Sequence, residues 1–502
     1  MKTKGMEHQL KALRLANGRE YYALLMEMGT GKTWTVLADA ERCYAAGKID
    51  GLLVVAPKGV HTNWVRREIP KHIDCEYVCA AYSANKTKRY QKTIDNLYRQ
   101  RDINTPPPLR IFAINIDAVN TAAGFAEAAK FLRSTKTMMV VDESSRIKNP
   151  KSKRTTRVMN LGKMSKMRRI CSGLPVTNSP PDIFMQMEFL SPGLLGTTSY
   201  RAFMAEYADL IPETSNLIKD IQNRIAASGR GFVPSPQIVR RTSDGTPMWR
   251  NLDKLAALIE PHAFRILKKE CLDLPEKIYT TTQFELTPSL RRHYDRLREE
   301  LRIQLAESIT PVAALAAIKK FQQITSGFVM LNGQTHLLAP GENPRMEVLK
   351  EAIEDIDGKF IIWALFREEI AQIAEMLEAE GVKVVQYHGG VKDKDRETAI
   401  DEFQNGEARA FVGTASAGGI GLTLTAASTV IYYSNDYNLD HRLQSEDRAH
   451  RIGTKNPVVY IDIVAVNTID EKVAAVLQAK EDTNAIIMGD KALDFVTSVG
   501  DN

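Results

Sequence analysis

Short apolar runs alternate with stretches of helical spacing through the first 200 residues. The candidate strands fall at 22–26, 52–56, 109–114, 137–142 and 168–172. Runs this apolar, without polar alternation, suit a sheet covered on both faces, and the helical segments between them give a parallel βαβ order. A second series begins near residue 358, with candidate strands at 359–364, 383–387, 410–413, 429–433 and 458–463. The pattern predicts an α/β chain with one parallel-sheet domain over 1–200, another over 341–502, and a mostly helical, charge-rich insertion over 201–340. Within that insertion, residues 226–250 are broken by Gly, Pro and Ser and read as a loop, and 339–344 read as a linker.

Composition agrees with this picture and narrows it. At 502 residues the chain is too long for one ordinary core. Its 44% hydrophobic and 25% charged content is that of a globular protein. No apolar run approaches the roughly 20 residues of a membrane span, and no apolar signal region follows Met1, so a cytoplasmic location is expected, or the nucleoplasm if the source is eukaryotic. Five scattered cysteines argue against a disulfide framework. His72, Cys75 and Cys79 lie close together, but without a second ligand pair they read as a strand and its flanking loop rather than a zinc site. The nine histidines show no metal-binding pairing, so the chemistry points to no catalytic metal other than Mg²⁺.

Net charge is +6, which permits a nucleic-acid partner without requiring one. Its distribution is more telling: ten Lys or Arg and no Asp or Glu lie between Arg146 and Arg169. Such a run is usually a solvated face, but this one directly follows an acidic motif and could meet phosphates.

Three segments carry candidate chemistry. Gly29-Thr30-Gly31-Lys32-Thr33 follows a strand and opens a helix, as a phosphate-binding loop requires. Glycines let backbone amides approach phosphates, the helix N-terminus adds its dipole, Lys32 suits the β- and γ-phosphates, and Thr33 suits Mg²⁺. Met26 stands where the strict motif has its first glycine. Asp142 and Glu143 end the apolar run 137–142, the first placed to hold Mg²⁺ through water and the second to orient or deprotonate an attacking water. Gln444, Arg448 and Arg451 fall on one face if their segment is helical, and two arginines so placed suit a transferring phosphoryl group.

The order of these motifs resembles superfamily 2 helicases, and within them the Swi/Snf family of double-stranded DNA translocases, from about Gln9 to Val464. Gln9 stands where the family's adenine-reading glutamine is expected. Residues 28–33 resemble motif I, and Val55-Ala56-Pro57-Lys58 with Asn63-Trp64 and Glu68 resemble motif Ia. Residues 142–149 resemble motif II, 172–178 motif III, 359–366 motif IV, 414–422 motif V with Gly421, and 444–453 motif VI.

The resemblance implies two RecA-like domains with helical protrusions between them. It makes Arg448 and Arg451 arginine fingers, with Lys32 and Glu143 as the other catalytic residues. Nucleotide contacts would come from Gln9, Gly29, Thr30, Gly31, Lys32, Thr33 and Gly421, and Mg²⁺ would be held by Thr33 and Asp142. The implied cofactors are ATP and Mg²⁺, and the implied partner is DNA, double-stranded or branched, with no membrane; a monomer is compatible, and whether there is a protein partner is left open. Ser145 replaces the usual motif II histidine, which links the ATP site to motif III, and Thr454 replaces the glutamine that often ends motif VI. The compact size is closer to viral and bacterial motors than to chromatin remodellers. A strand-separating helicase of DNA or RNA, and an ATP-binding scaffold that barely hydrolyses, remain open as alternatives. Trp64 and Trp363 read as packing residues rather than base-stacking ones.

Overall fold

The computed structural model describes residues 1–99, 107–177, 179–227, 237–242, 247–307, 311–331, 334–418, 422–436, 438–475 and 477. The chain divides into two compact units, one formed by residues 1–271 and the other beginning at Leu272.

The first unit is built on seven parallel strands. In chain order they are β1 (Tyr21–Met26), β2 (Gly51–Ala56), β3 (Tyr77–Ala81), β4 (Leu109–Asn115), β5 (Thr137–Asp142), β6 (Met167–Cys171) and β7 (Ala263–Ile266), arranged β3-β4-β2-β5-β6-β1-β7. Every residue of β2 and β5 is buried, because helices cover both faces. One apolar cluster lies on each side of the sheet, around Phe112, Phe131 and Phe189 on one face and Leu52, Val54 and Trp64 on the other. The order sets the carboxyl end of β6 between those of β1 and β5. In open parallel sheets that edge is where ligands bind.

The second unit holds β8 (Lys277–Phe284), an antiparallel pair β9 (Phe328–Leu331) and β10 (Gln334–Leu337), and then β11 (Lys359–Trp363), β12 (Val384–Tyr387), β13 (Ala410–Gly413), β14 (Ala427–Tyr432) and β15 (Val458–Ala465). Its main sheet is parallel throughout, in the order β12-β13-β11-β14-β15-β8.

The ten strands expected from the pattern all form, within two residues at their ends. The strands it misses are edge or polar ones. β7 carries Arg265 in a four-residue run, and β8, rich in Thr, is mostly exposed. These two strands fall in different units. The described part of 201–340 up to Cys271, including helix Leu252–Ile259, lies in the first unit, while β8 and helix Pro288–Glu307 lie in the second. Residues 339–344 are no linker between bodies, since buried Asn343 donates to Ser326 O (3.1 Å) and Tyr433 Oη (3.2 Å) inside the second unit. Of the expected loop 226–250, residues 228–236 and 243–246 lie outside the described residues. Its remaining ends pair antiparallel with neighbours, Leu210 with Val239 and Ala208 with Trp249. No helix among the described residues is long and apolar enough to cross a membrane.

Candidate active site

The candidate phosphate-binding loop runs from the end of β1 into helix Lys32–Ala45. Gly29 and Gly31 take left-handed backbone angles, φ 80° and 86°, which a side chain would oppose. A Cβ on Gly31 would also sit 2.0 Å from Gln9 Nε2. Gln9 and His8 therefore come from the N-terminal helix to brace the loop. His8 Nε2 lies 2.7 Å from Thr30 O, and Gln9 Nε2 donates to Thr30 O (3.4 Å) and Gly31 O (3.3 Å). Thr30 is fully buried and closes the turn by donating to Glu27 O at 2.7 Å. Lys32 Nζ donates to Met26 O (3.0 Å) and Glu27 O (3.3 Å), so Met26, in the place of a glycine, contributes its carbonyl. Thr33 is half-buried one residue further along the helix.

A buried ion pair fixes this helix to the sheet. Arg169 Nε on β6 donates to Asp39 Oδ2 at 2.9 Å, and the other Arg169 nitrogens donate to the carbonyls of Arg19, Glu20 and Arg168. With every guanidinium nitrogen bonded, the pair can be buried without an orphaned charge.

Asp142 ends β5 and is nearly enclosed. Burial pushes its carboxyl pKa up; a hydrogen bond from Trp64, the charge of Lys32 and the Glu143 N–H pull the other way. Trp64 Nε1 donates to Oδ2 at 3.0 Å, and the Glu143 N–H donates to Oδ1 at 3.1 Å. Trp64 is indeed buried, yet its polar tip serves the acid, a role that the packing expectation missed. The signal available was its place in Asn63-Trp64 and Glu68. Glu143 holds φ 53° and ψ 59°, a left-handed conformation costing about 1–3 kcal/mol for a non-glycine residue. The Asp142 carboxylate and Thr33 hydroxyl are hard oxygen donors of the kind Mg²⁺ takes.

Motif III reaches the same edge through β6. A Cβ on Gly173 would lie 2.9 Å from Met28 Cγ and 3.0 Å from Met28 N, so the absence of a side chain lets this turn press on the phosphate loop. Arg265 of β7 ties this turn to β1, which leads into the loop, donating from Nη1 to Leu25 O (3.1 Å) and Gly173 O (3.2 Å). The link from motif II runs through Ser144 and Lys148: Ser144 Oγ donates to Gln186 (2.7 Å), and Lys148 pairs with Asp182 (3.0 Å) and Thr177. Asn178 lies outside the described residues.

The 146–169 basic run is only partly a surface. Arg169 is fully buried, Arg168 stacks on Tyr21, Arg154 pairs with Asp117, and Arg157 donates to Val119 O. Lys151, Lys153, Lys163 and Lys166 are exposed.

In the second unit, helix Leu439–Ala449 stops before Arg451, so helical spacing alone does not align the two arginines. They converge through a shared acceptor instead. Arg448 Nη1 donates to Leu422 O at 3.3 Å, and Arg451 Nη1 donates to the same oxygen at 3.0 Å and to Thr423 Oγ1 at 3.0 Å. Thr454 holds the turn, accepting from Arg451 N (3.1 Å) and donating to Ala449 O (2.7 Å). Gln444 donates to Asp440 Oδ1 (2.8 Å) on the same helix. Gly421 lies outside the described residues.

The helix is seated by a buried charge network. Glu446 accepts from Lys277 (2.8 Å), Tyr279 (2.8 Å) and Arg442 (2.7 Å), and Arg442 also pairs with Asp462. Burial would raise the Glu446 pKa, but Lys277 and Arg442 hold it down at about 2.

These features define a two-unit α/β protein with a candidate phosphate-binding loop and adjacent acids in one unit and a paired-arginine motif in the other. The SNF2-related domain model matches residues 8–338 and the helicase conserved C-terminal domain model matches residues 344–453. The chain belongs to the SNF2-related family, and it carries two parallel-sheet α/β units. The SNF2-related match runs past Cys271 into the second unit, as β8 does. The chain is similar to a chromodomain-helicase-DNA-binding protein 1-like of Danio rerio, 24% identical over 461 residues, covering 89% of this chain and 40% of that protein. It is 24% identical over 463 residues to an uncharacterized ATP-dependent helicase of Mycoplasma pneumoniae, covering 91% of this chain and 39% of that one. Both curated relatives are thus spanned over about two-fifths of their length. Among solved structures it is similar to the Sulfolobus solfataricus SWI2/SNF2 ATPase core in complex with dsDNA, at 24% identity, a TM-score of 0.41, and coverage of 98% of this chain and 94% of that one.

Proposed function

We propose that this chain is a DNA-dependent ATPase that couples ATP hydrolysis to movement along double-stranded or branched DNA, remodelling the DNA or displacing bound protein. The observation that carries the reading is the carboxyl edge of the first sheet. There the phosphate loop with Lys32 and the buried acid Asp142, followed by Glu143, stand on either side of motif III, which touches the loop through Gly173 and motif II through Gln186. Membership of the SNF2-related family supports it.

In this reading Gly29, Thr30, Gly31 and Lys32 hold the phosphates of ATP, and Gln9, already beside the loop, reads the adenine. Thr33 and Asp142 hold Mg²⁺, which neutralises phosphate charge when bound. Glu143 orients or deprotonates the attacking water. Arg448 and Arg451 act as arginine fingers, and Gly421 contributes to the nucleotide contacts. DNA is held mainly by its phosphates, which gives sequence-independent binding that weakens steeply with salt.

The test is the ATPase rate of the purified chain with single-stranded, double-stranded and branched DNA and with RNA, alongside triplex displacement and forked-duplex unwinding. Stimulation by double-stranded or branched DNA, with triplex displacement, is expected. Unwinding without triplex displacement would replace the reading with a strand-separating helicase. Turnover no faster than that of Lys32→Ala would replace it with an ATP-binding scaffold.

A further inference from the structure

We propose that Trp64 is a positioning residue for the Asp142 carboxylate, aimed by a single π-turn that Asn63 and Glu68 brace; this rests on the reading of Asp142 as the metal-holding acid. The helix over residues 60–72 is not uniform. Val60–Asn63 and Ile69–His72 are α-helical, and Trp64–Glu68 between them is one turn of π-helix, with the Ile69 N–H donating to the Trp64 carbonyl five residues back.

The burial pattern explains the extra residue. His61, Trp64, Ile69 and His72 are the helix positions turned inward. Residues 64 and 69, five apart, point in well-separated directions on a regular α-helix with 3.6 residues per turn. One inserted residue brings both to the sheet side, and such π-turns recur at functional sites. Residues five apart also meet across a π-turn, and Asn63 Nδ2 lies 3.4 Å from Glu68 Oε1.

The consequence is chemical as well as steric. Trp64 is 1% exposed and has one polar atom, which donates to Asp142 Oδ2 at 3.0 Å. The Glu143 N–H holds the other carboxylate oxygen. The two donors fix the plane of the carboxylate, and only the one from Trp64 comes from outside the acidic turn. Phenylalanine would fill much of the same space without donating. The bond also joins this carboxylate to the turn that exposes Arg66 and Arg67.

Binding of a fluorescent ATP analogue to the full chain, titrated with Mg²⁺ in the absence of DNA, tests the proposal without using turnover. Losing a hydrogen bond to a charged group corresponds to about a tenfold change. Trp64→Phe is therefore expected to bind the Mg²⁺-free analogue as the wild type does and to need about tenfold more Mg²⁺ for half-maximal enhancement. Glu68→Ala, which unbraces the turn at a partly exposed position, should shift the Mg²⁺ midpoint in the same direction and serves alone if Trp64→Phe does not fold. An unchanged midpoint in the folded variants would overturn the role of Trp64. A wild type whose nucleotide affinity ignores Mg²⁺ would overturn the reading of Asp142 itself, which is a separate result.

Discussion

Ser144 Oγ donates to Gln186 Oε1 at 2.7 Å, and both side chains are buried. The Gln186 amide in turn donates to Pro175 O (2.6 Å) and Asp182 O (2.8 Å). Motif II is thus joined to motif III through the serine before Ser145, so the missing histidine does not leave the two unconnected.

Gln186→Leu would leave two buried partners, Ser144 Oγ and Pro175 O, without this side chain, at about 1–3 kcal/mol each where a partner stays orphaned. We expect a lower Tm and at least about a tenfold loss of ATP turnover, with binding of the ATP analogue retained. Equal turnover in the variant would show that this link does not carry the coupling.

Gly31→Ala should abolish nucleotide binding. Gly18→Ala is the matched control, because Gly18 also has a positive φ, 76°, but nothing lies within 4 Å of the methyl that alanine would add there. Strain alone should cost the control about 1 kcal/mol of stability and no affinity. Parallel melts and analogue titrations would separate strain from the steric conflict with Gln9.

Thr454 stands where the family often has glutamine, yet it ties the end of the Arg448 helix to Arg451. Thr454→Val keeps the shape and removes the hydroxyl. Turnover is expected to fall about tenfold with little change in analogue binding, as for a group that acts in hydrolysis rather than in binding. Thr454→Ser should restore most of the rate.

Glu446 has its folded pKa lowered from an ordinary 4.5 to about 2. The folded state therefore binds this proton less readily than the unfolded chain. The associated stability is fully present above about pH 4.5 and is lost as pH falls from there through about 2. The contribution is about 3 kcal/mol, by 1.36 kcal/mol per unit. Urea denaturation from pH 7 down to pH 3 should show Glu446→Gln losing less stability than the wild type over the acid half of the range.

Lys151 and Lys153 are exposed, whereas Arg154 is engaged by Asp117 at 2.6 Å. Reversing Lys151 and Lys153 to Glu should weaken DNA binding and flatten its dependence on salt by about one phosphate contact per residue. An unchanged slope would make this a solvated face. Arg154→Glu would confound the test by breaking an ion pair.

The sequence by itself determined ten of the parallel strands and singled out the candidate phosphate loop, acidic pair and arginine motif. Doubly covered strands are apolar throughout, glycines and charged residues at strand ends are short-range signals, and both can be read from a few neighbouring residues. Only the tertiary structure decided where the units divide, because β7 and β8 are too polar to read as strands and are defined by the sheets that accept them. It also decided that Arg448 and Arg451 meet on Leu422, that Arg168 and Arg169 of the basic run are buried, and that Trp64 serves Asp142. Trp64 and Asp142 are far apart in sequence, and their bond depends on one extra residue in a helical turn, which leaves almost no trace in local periodicity.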